Sequence, residues 1–326
     1  MAPRAARAAA GLRRPATWRI GLVLAAFLVA AAAAALQPGR GIAVIYPDIG
    51  EPYRSVFTKM IEGIEEAAHT RVPAFPVGAA ATAQDIAGEL RRQDVRVVIA
   101  LGRNGLKVAS GLDRDIGVVA GGVLSVPEAE AAGNVSVFSL APDPALLFSR
   151  LHGFTPAVRR VFVIYDPRHN GWLMRLARDA AAVRGIELVA REAQDIRSAL
   201  LAYQEILAAA DPRRDALWLP QDPTTVDETA VLPLVLQEAW TRGLVLFSSN
   251  PVHVRRGALF SLYPNNVEIG RTLGASALGY SGSAPAARGP TPLKSVLLAV
   301  NVRTAAHLGI NLADKRQSFD MVFPEP

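Results

Sequence analysis

Cysteine is absent from all 326 residues, which excludes disulfides, thiolate metal sites, a cysteine nucleophile and a lipid anchor attached through an N-terminal cysteine. Acidic residues are absent from the first 40 positions. The formal charge of +6 is therefore local in origin, because Arg4, Arg7, Arg13, Arg14 and Arg19 carry five of the positive charges and the chain without them stands at about +1. Beyond this segment Arg is interspersed with Asp and Glu, with no basic stripe and interleaved aromatics of the kind a DNA or RNA groove needs, so no nucleic-acid partner is expected. Motifs of catalysis are missing too: there is no G-x-S-x-G elbow, no G-x-x-x-x-G-K-[ST] loop, no H-E-x-x-H and no G-x-G-x-x-G opening a helix. The five histidines, His69, His152, His169, His253 and His307, stand far apart with no second ligand three or four residues on. Neither a metal nor a cofactor is expected, and the chain reads as a non-enzyme; a triad assembled from distant residues stays open.

What is present is a hydrophobic fraction of 51% with 20% charged residues, the balance of a folded chain of about two domains. The N-terminus stands apart. Its arginines precede an uninterrupted 17-residue apolar run, 20–36, with Ala-x-Ala positions at 33–35 and Gln37, Pro38 and Gly39 behind it, the parts of a secretory signal. The run is also close to the shortest length that crosses the hydrocarbon layer, so residues 1–38 read as a cleaved signal peptide or as a retained membrane anchor. Under either reading the positive-inside rule sends everything that follows out of the cytoplasm.

From residue 40 onward, short β-branched runs alternate with longer segments of helical period, the pattern of a parallel sheet wrapped by helices. Strands are expected at 42–46, 74–77, 95–101 and 116–120, with helices over 82–92 and 104–111 and an apolar stripe of Val56, Met60, Ile61 and Ile64 marking another. A second array starts near Pro142, with strands at 161–165, 186–190, 216–219 and 244–247 and helices over 172–183, 196–210 and 226–240, the last kinked at Pro233. Thereafter come a strand at 258–262, a helix over 267–280, a Pro, Gly, Ser and Ala linker at 281–292, one strand at 293–300 and a short helix at 302–308. Two such arrays followed by return segments mean that the chain crosses between lobes more than once.

Polar or glycine-rich clusters follow the strand ends, where ligands bind in open α/β sheets. They are Pro47, Asp48, Ile49 and Gly50; Gly102, Arg103 and Asn104; Gly121 and Gly122; Asp166, Pro167 and Arg168; Pro220, Gln221 and Asp222; and Ser248, Ser249 and Asn250. Each also suits the cap of a following helix. Asp222 fits a ligand ammonium or an N-cap near Thr225, and Arg103 an anion clamp or a solvated loop cation. Tyr46, Tyr53, Tyr165 and Trp218 fit the wall of a cleft or the core.

The stretches DALWLPQDPTTV from Asp215, GLVLFSSNPVHVRRGALFSL from Gly243 and NNVEIGRTLGASALG from Asn265, supported by VFVIYDPRHN, GNVSVFSL and VNVRTAAHLGI, closely resemble the ABC-transporter substrate-binding family that includes bacterial tryptophan and tyrosine binding proteins. The resemblance implies a type I periplasmic-binding-protein fold, α/β, with two Rossmann-like doubly wound lobes on a hinge of three crossover strands. It places lobe one at 40–140 plus 257–282 and lobe two at 141–256 plus 290–326. It also implies a small-molecule ligand, amino-acid-like or anionic, held between the lobes by hinge closure, with an ABC permease of the cytoplasmic membrane as partner and a periplasmic location. The matching positions are Gly102, Arg103 and Asn104 in lobe one and Asp166, Gln221, Asp222 and Asn250 in lobe two; Tyr46, Asp48 and Gly122 complete the expected ligand-binding set. Several depart from the family pattern, which usually has a Thr-Pro-Ser type of sequence at 102–104, Asn at 166, Thr at 221 and Asp at 250. A sensory module on the same fold, reporting to a signalling partner, is the alternative, and an enzyme on a doubly wound fold a minor one.

Overall fold

The computed structural model describes residues 41–124, 135–280, 290–312 and 318–325. The apolar run 20–36 and most of the linker at 281–292 lie outside the described residues. In chain order the elements are β1 (Ile42–Pro47), α1 (Tyr53–Ala68), β2 (Ala74–Val77), α2 (Ala83–Arg92), β3 (Val97–Leu101), α3 (Gly102–Ala109), β4 (Gly117–Val123) and β5 (Val135–Pro142). There follow α4 (Pro144–Phe154), β6 (Arg160–Tyr165), α5 (Pro167–Val183), β7 (Glu187–Glu192), α6 (Ile196–Ala209), β8 (Asp215–Leu219), α7 (Leu232–Arg242), β9 (Val245–Ser248) and α8 (Pro251–Arg256). The last are β10 (Phe260–Pro264), α9 (Asn266–Leu278), β11 (Thr291–Leu293), β12 (Val296–Asn301), α10 (Val302–His307) and β13 (Met321–Phe323).

Two sheets result, in the orders β11-β5-β4-β3-β1-β2 and β13-β12-β10-β9-β8-β6-β7. Every pairing is parallel except β10 with β12. Such strands are covered on both faces, and their side chains alternate between two cores. In β1, Ile42 and Val44 pack with Phe57, Met60 and Ile64 of α1 and Leu273 of α9, whereas Ala43 and Ile45 pack with Ile86 and Leu90 of α2. In β6, Val161 and Val163 face Leu173 and Met174 of α5, and Phe162 and Ile164 face Tyr203 and Ile206 of α6. The division into four helix-covered faces on two sheets is the type I periplasmic-binding-protein architecture that the family resemblance implied.

Helices α1 and α9 touch backbone to backbone. A Cβ on Gly63 would lie 2.0 Å from the Val267 carbonyl oxygen, and one on Gly270 2.0 Å from that of Met60. Glycine is what lets the return helix lie on this lobe so closely.

The chain crosses between the sheets three times, after β5, after β10 and after β11. The crossings are tied to one another: Asp143 N–H donates to the Leu293 carbonyl at 2.8 Å and Asn265 N–H to that of Ser295 at 3.0 Å.

Four sequence expectations change. The return to lobe one does not start at 257, because β10 pairs with β9 and β12 in the second sheet and only α9 lies against the first. The single strand at 293–300 is two, β11 pairing with β5 in the first sheet and β12 with β10 in the second, so residues 291–293 belong with the first sheet. An apolar run looks continuous in sequence whichever sheet each half joins. The helix over 226–240 begins only at Leu232, with Pro233 in its first turn, where a missing N–H costs nothing, so no kink arises. Finally, α5 starts at Pro167 rather than 172, because Asp166 caps it and proline fits the first helical position.

Candidate functional site

The lobe-one edge is set by two strand ends. Gly102 and Gly122 have φ of +67° and +70°, and a Cβ on Gly122 would lie 3.2 Å from the Gly102 nitrogen. The turn after β3 and the irregular end of β4 thus approach within backbone contact, which side chains in this left-handed region would obstruct. Leu101 offers α3 no side-chain cap, and no acidic residue occupies its first turn. Arg103 stands in that turn, exposed, with no hydrogen bond or ion pair to any described residue. A cation beside a positive helix end weakens the helix slightly, so Arg103 is not there to stabilise α3.

The lobe-two edge is the opposite case, a saturated network. Asp222 is buried, and its Oδ2 accepts from Asp166 N–H at 2.7 Å and from Asn170 Nδ2 at 2.9 Å. Its Oδ1 accepts from the N–H groups of Thr224 and Thr225, both at 3.0 Å. Asp166, fully buried, caps α5 through the Arg168 N–H at 2.9 Å, pairs with the Arg168 guanidinium and accepts from the Thr224 hydroxyl at 3.0 Å. Arg168 is the chief reason the Asp166 carboxyl is held down at about 2, against the upward push of burial. Asn170 gives its second amide hydrogen to the Gln221 carbonyl at 3.3 Å, and Gln221 Nε2 donates to the Ser249 carbonyl at 2.7 Å.

Between these edges lies a cavity of 380 Å³. The first sheet and its crossing strand contribute Arg103, Gly122, Val123, Leu124, Leu140 and Ala141; the second contributes His169, Asn170, Gln221 and Pro223. Its volume falls in the range of about 300–1,000 Å³ common to small-molecule sites.

Of the expected ligand-binding set, Arg103, Gly122 and Gln221 line this cavity. Gly102 shapes the turn behind it, and Asn104, half-buried, follows in α3. Tyr46 is half-buried against the core of the first lobe, and Asp48 is exposed, with its N–H bonded to the Val77 carbonyl at 2.9 Å. Asp166, Asp222 and Asn250 act as caps or braces in the structure, Asn250 accepting from Val252 N–H at 3.0 Å. For Asp222 the cap is a turn rather than the start of a helix near Thr225. Trp218 is a core residue, stacked with Phe247 and donating to the Ser249 hydroxyl at 3.1 Å, and Tyr165 is buried with its hydroxyl on Glu192 at 2.8 Å. Tyr53 is exposed and lines no part of the cavity.

His169 and Asn170 were not singled out from the sequence as lining residues. A helix starting at 172 left both in a loop; with α5 starting at Pro167, they fall in its first turn at the cavity. Leu140 and Ala141 were missed because β5 had not been read as a strand.

Three distant side chains do have triad connectivity: Ser248 Oγ lies 2.8 Å from His253 Nδ1, and His253 Nε2 lies 3.3 Å from Glu228 Oε1. However, Ser248 is fully buried, sits within reach of the Leu219 carbonyl at 3.2 Å and accepts from Asn250 N–H at 3.0 Å. A nucleophile needs an exposed oxygen, and this one braces the start of α8. Burial lowers the His253 pKa, with Glu228 opposing. Among the described residues no cluster could hold a metal ion and no helix is long and apolar enough to cross a membrane.

Two largely parallel sheets joined by three crossings, with a cavity between their strand ends, define a two-lobed binding protein of the type I periplasmic class. Residues 130–317, more than half of the chain, match the model of the ABC transporter substrate binding protein family, and the protein belongs to that family. Solved structures of like fold include a ligand-free, open substrate binding protein with adhesive properties from Clostridium difficile, with TM-score 0.62 and 17% identity, covering 86% of this chain and 98% of that one. An ABC domain from Streptococcus pneumoniae in complex with L-Trp has TM-score 0.53 and 16% identity, covering 86% and 99%. A conserved domain protein from Vibrio cholerae has TM-score 0.54 and 18% identity, covering 87% and 99%. No curated protein sequence matches the chain.

Proposed function

We propose that the protein is the extracytoplasmic solute-binding component of an ABC importer, taking a small amino-acid-like or anionic molecule between its lobes and presenting the closed form to a permease. The observation that carries this reading is the 380 Å³ cavity at the facing strand ends, to which both sheets contribute side chains. A molecule seated there touches both lobes at once, so its binding energy favours the closed arrangement over the open one, and no bond need be made or broken. The three adjacent crossings are the natural hinge, because few backbone torsions at one place can rotate one lobe against the other. Arg103, Gly122 and Gln221 are assigned to ligand contact, with Gly102, Asn104, Asp166, Asp222 and Asn250 holding their turns in place and Tyr46 and Asp48 at the rim. The arginine-rich leader is assigned to export.

The test is a thermal-shift screen of the purified protein against amino acids, carboxylates, sugars and nucleosides, followed by small-angle scattering of any pair that shifts. A ligand at 100 times its Kd stabilises by about 2.7 kcal/mol, and closure should reduce the radius of gyration. A screen with no shift, or a ligand that binds without compaction, refutes the reading.

A further inference from the structure

Resting on the reading of the cavity as the ligand site, we infer that its ligand is a small carboxylate bearing a hydroxyl and an apolar side group, a 2-hydroxy acid, and not an amino acid. The charge inventory of the walls carries this. Among the described residues, none that lines the cavity is acidic and none pairs with Arg103. The two carboxylates braced behind Asn170 and Gln221, Asp166 and Asp222, are committed to Arg168, Thr224, Thr225, Asn170 and the Asp166 backbone. An α-ammonium would enter beside a guanidinium with no carboxylate among the described lining residues to receive it, and a charge held without a counter-charge in a closed cleft is strongly disfavoured. A carboxylate meets the reverse situation, a planar five-donor fork with no competing anion.

The opposite wall supplies the hydroxyl's partner. Asn170 Nδ2 reaches the Gln221 carbonyl at 3.3 Å and Asp222 Oδ2 at 2.9 Å, both acceptors, so the amide orientation is forced and Oδ1 is left over. Gln221 Nε2 gives one hydrogen to the Ser249 carbonyl, which leaves its second N–H and its Oε1. Two neutral acceptors are suited to a neutral donor, and a hydroxyl is one. Val123, Leu124, Leu140 and Ala141 then provide the apolar wall for the side group. In this arrangement the carboxylate is read by lobe one and the hydroxyl by lobe two, so one molecule bridges the hinge.

Calorimetric titration of the full chain with matched pairs tests the inference: phenyllactate against L-phenylalanine and 2-hydroxyisocaproate against L-leucine, with 3-phenylpropionate as the acid lacking the hydroxyl and both enantiomers of each hydroxy acid. The hydroxy acid should bind at least tenfold more tightly than its amino acid and than the deoxy acid. Arg103→Gln should weaken it at least 50-fold with an unchanged unliganded melting temperature, since Arg103 holds nothing in the fold, and Arg103→Lys should recover only part of the loss. Tighter binding of the amino acid, or of a neutral sugar or nucleoside in the broader screen, overturns the inference and leaves the cavity as a ligand site. Binding of the hydroxy acid that is indifferent to Arg103→Gln also overturns it. Absence of any binder in either set removes both.

Discussion

Asp222 shows at the scale of a residue how little a carboxylate's neighbourhood can be read from its sequence position. Its four accepted hydrogen bonds join the turn after β8 to the start of α5, so Asp222→Ala strands buried donors and should cost on the order of 3 kcal/mol. Urea unfolding of the ligand-free protein measures this; a variant as stable as the parent would mean that the network is not structural. Two ionisable groups of the second lobe predict an acid limb as well. His253 has its folded pKa lowered by burial, so the unfolded chain takes up a proton there that the folded protein resists, and stability falls as the pH drops below about 6.5. Asp166, held down at about 2 chiefly by Arg168, adds stability that is complete above about 4 and is lost as the pH falls from there toward 2. Denaturation midpoints between pH 7 and pH 3 should decline in these two steps, and His253→Gln should flatten the first.

At the scale of elements, the α1–α9 pair decides whether the return helix can serve lobe one. Gly270→Ala places a methyl against the Met60 carbonyl, a 2.0 Å approach that no rotamer relieves. The helices must move apart, at a cost of about 1–3 kcal/mol. Gly153 in α4, where nothing lies within 4 Å of an added Cβ, is the control: Gly153→Ala should leave the melting temperature unchanged or raise it. Equal effects at the two positions would show that helix contact is not what Gly270 provides. Caps explain the element boundaries that sequence located and those it did not. Thr82 with Asp85 marks the start of α2 by a capping box. By contrast, Pro167 and Pro233, each in the first turn of its helix, read in sequence as interruptions, because a proline gives the same local signal at a helix start as at a kink.

At the scale of the whole molecule, each lobe has its own cores and the two are joined by three crossings, so without ligand they should unfold with separable midpoints. Trp172, Trp218 and Trp240 lie in the second lobe and the fourth tryptophan, Trp18, in the N-terminal segment, so in a Trp18→Phe variant tryptophan fluorescence follows that lobe while far-ultraviolet dichroism follows both. The two signals should diverge in urea for the free protein and converge when a bridging ligand couples the lobes; coincident curves without ligand would show one cooperative unit. The sequence by itself determined the alternation of strands and helices, the open edges at the strand ends and the family, because periodicity, turn chemistry and ordered motifs are local. Only the tertiary structure decided that residues 291–293 and 296–301 join different sheets, that Asp166 and Asp222 are spent on the protein and that Arg103 meets no partner among the described residues. Partners such as Phe138 for Thr291 and Thr224 for Asp166 lie more than fifty positions away in the chain, where donors and acceptors meet only after folding.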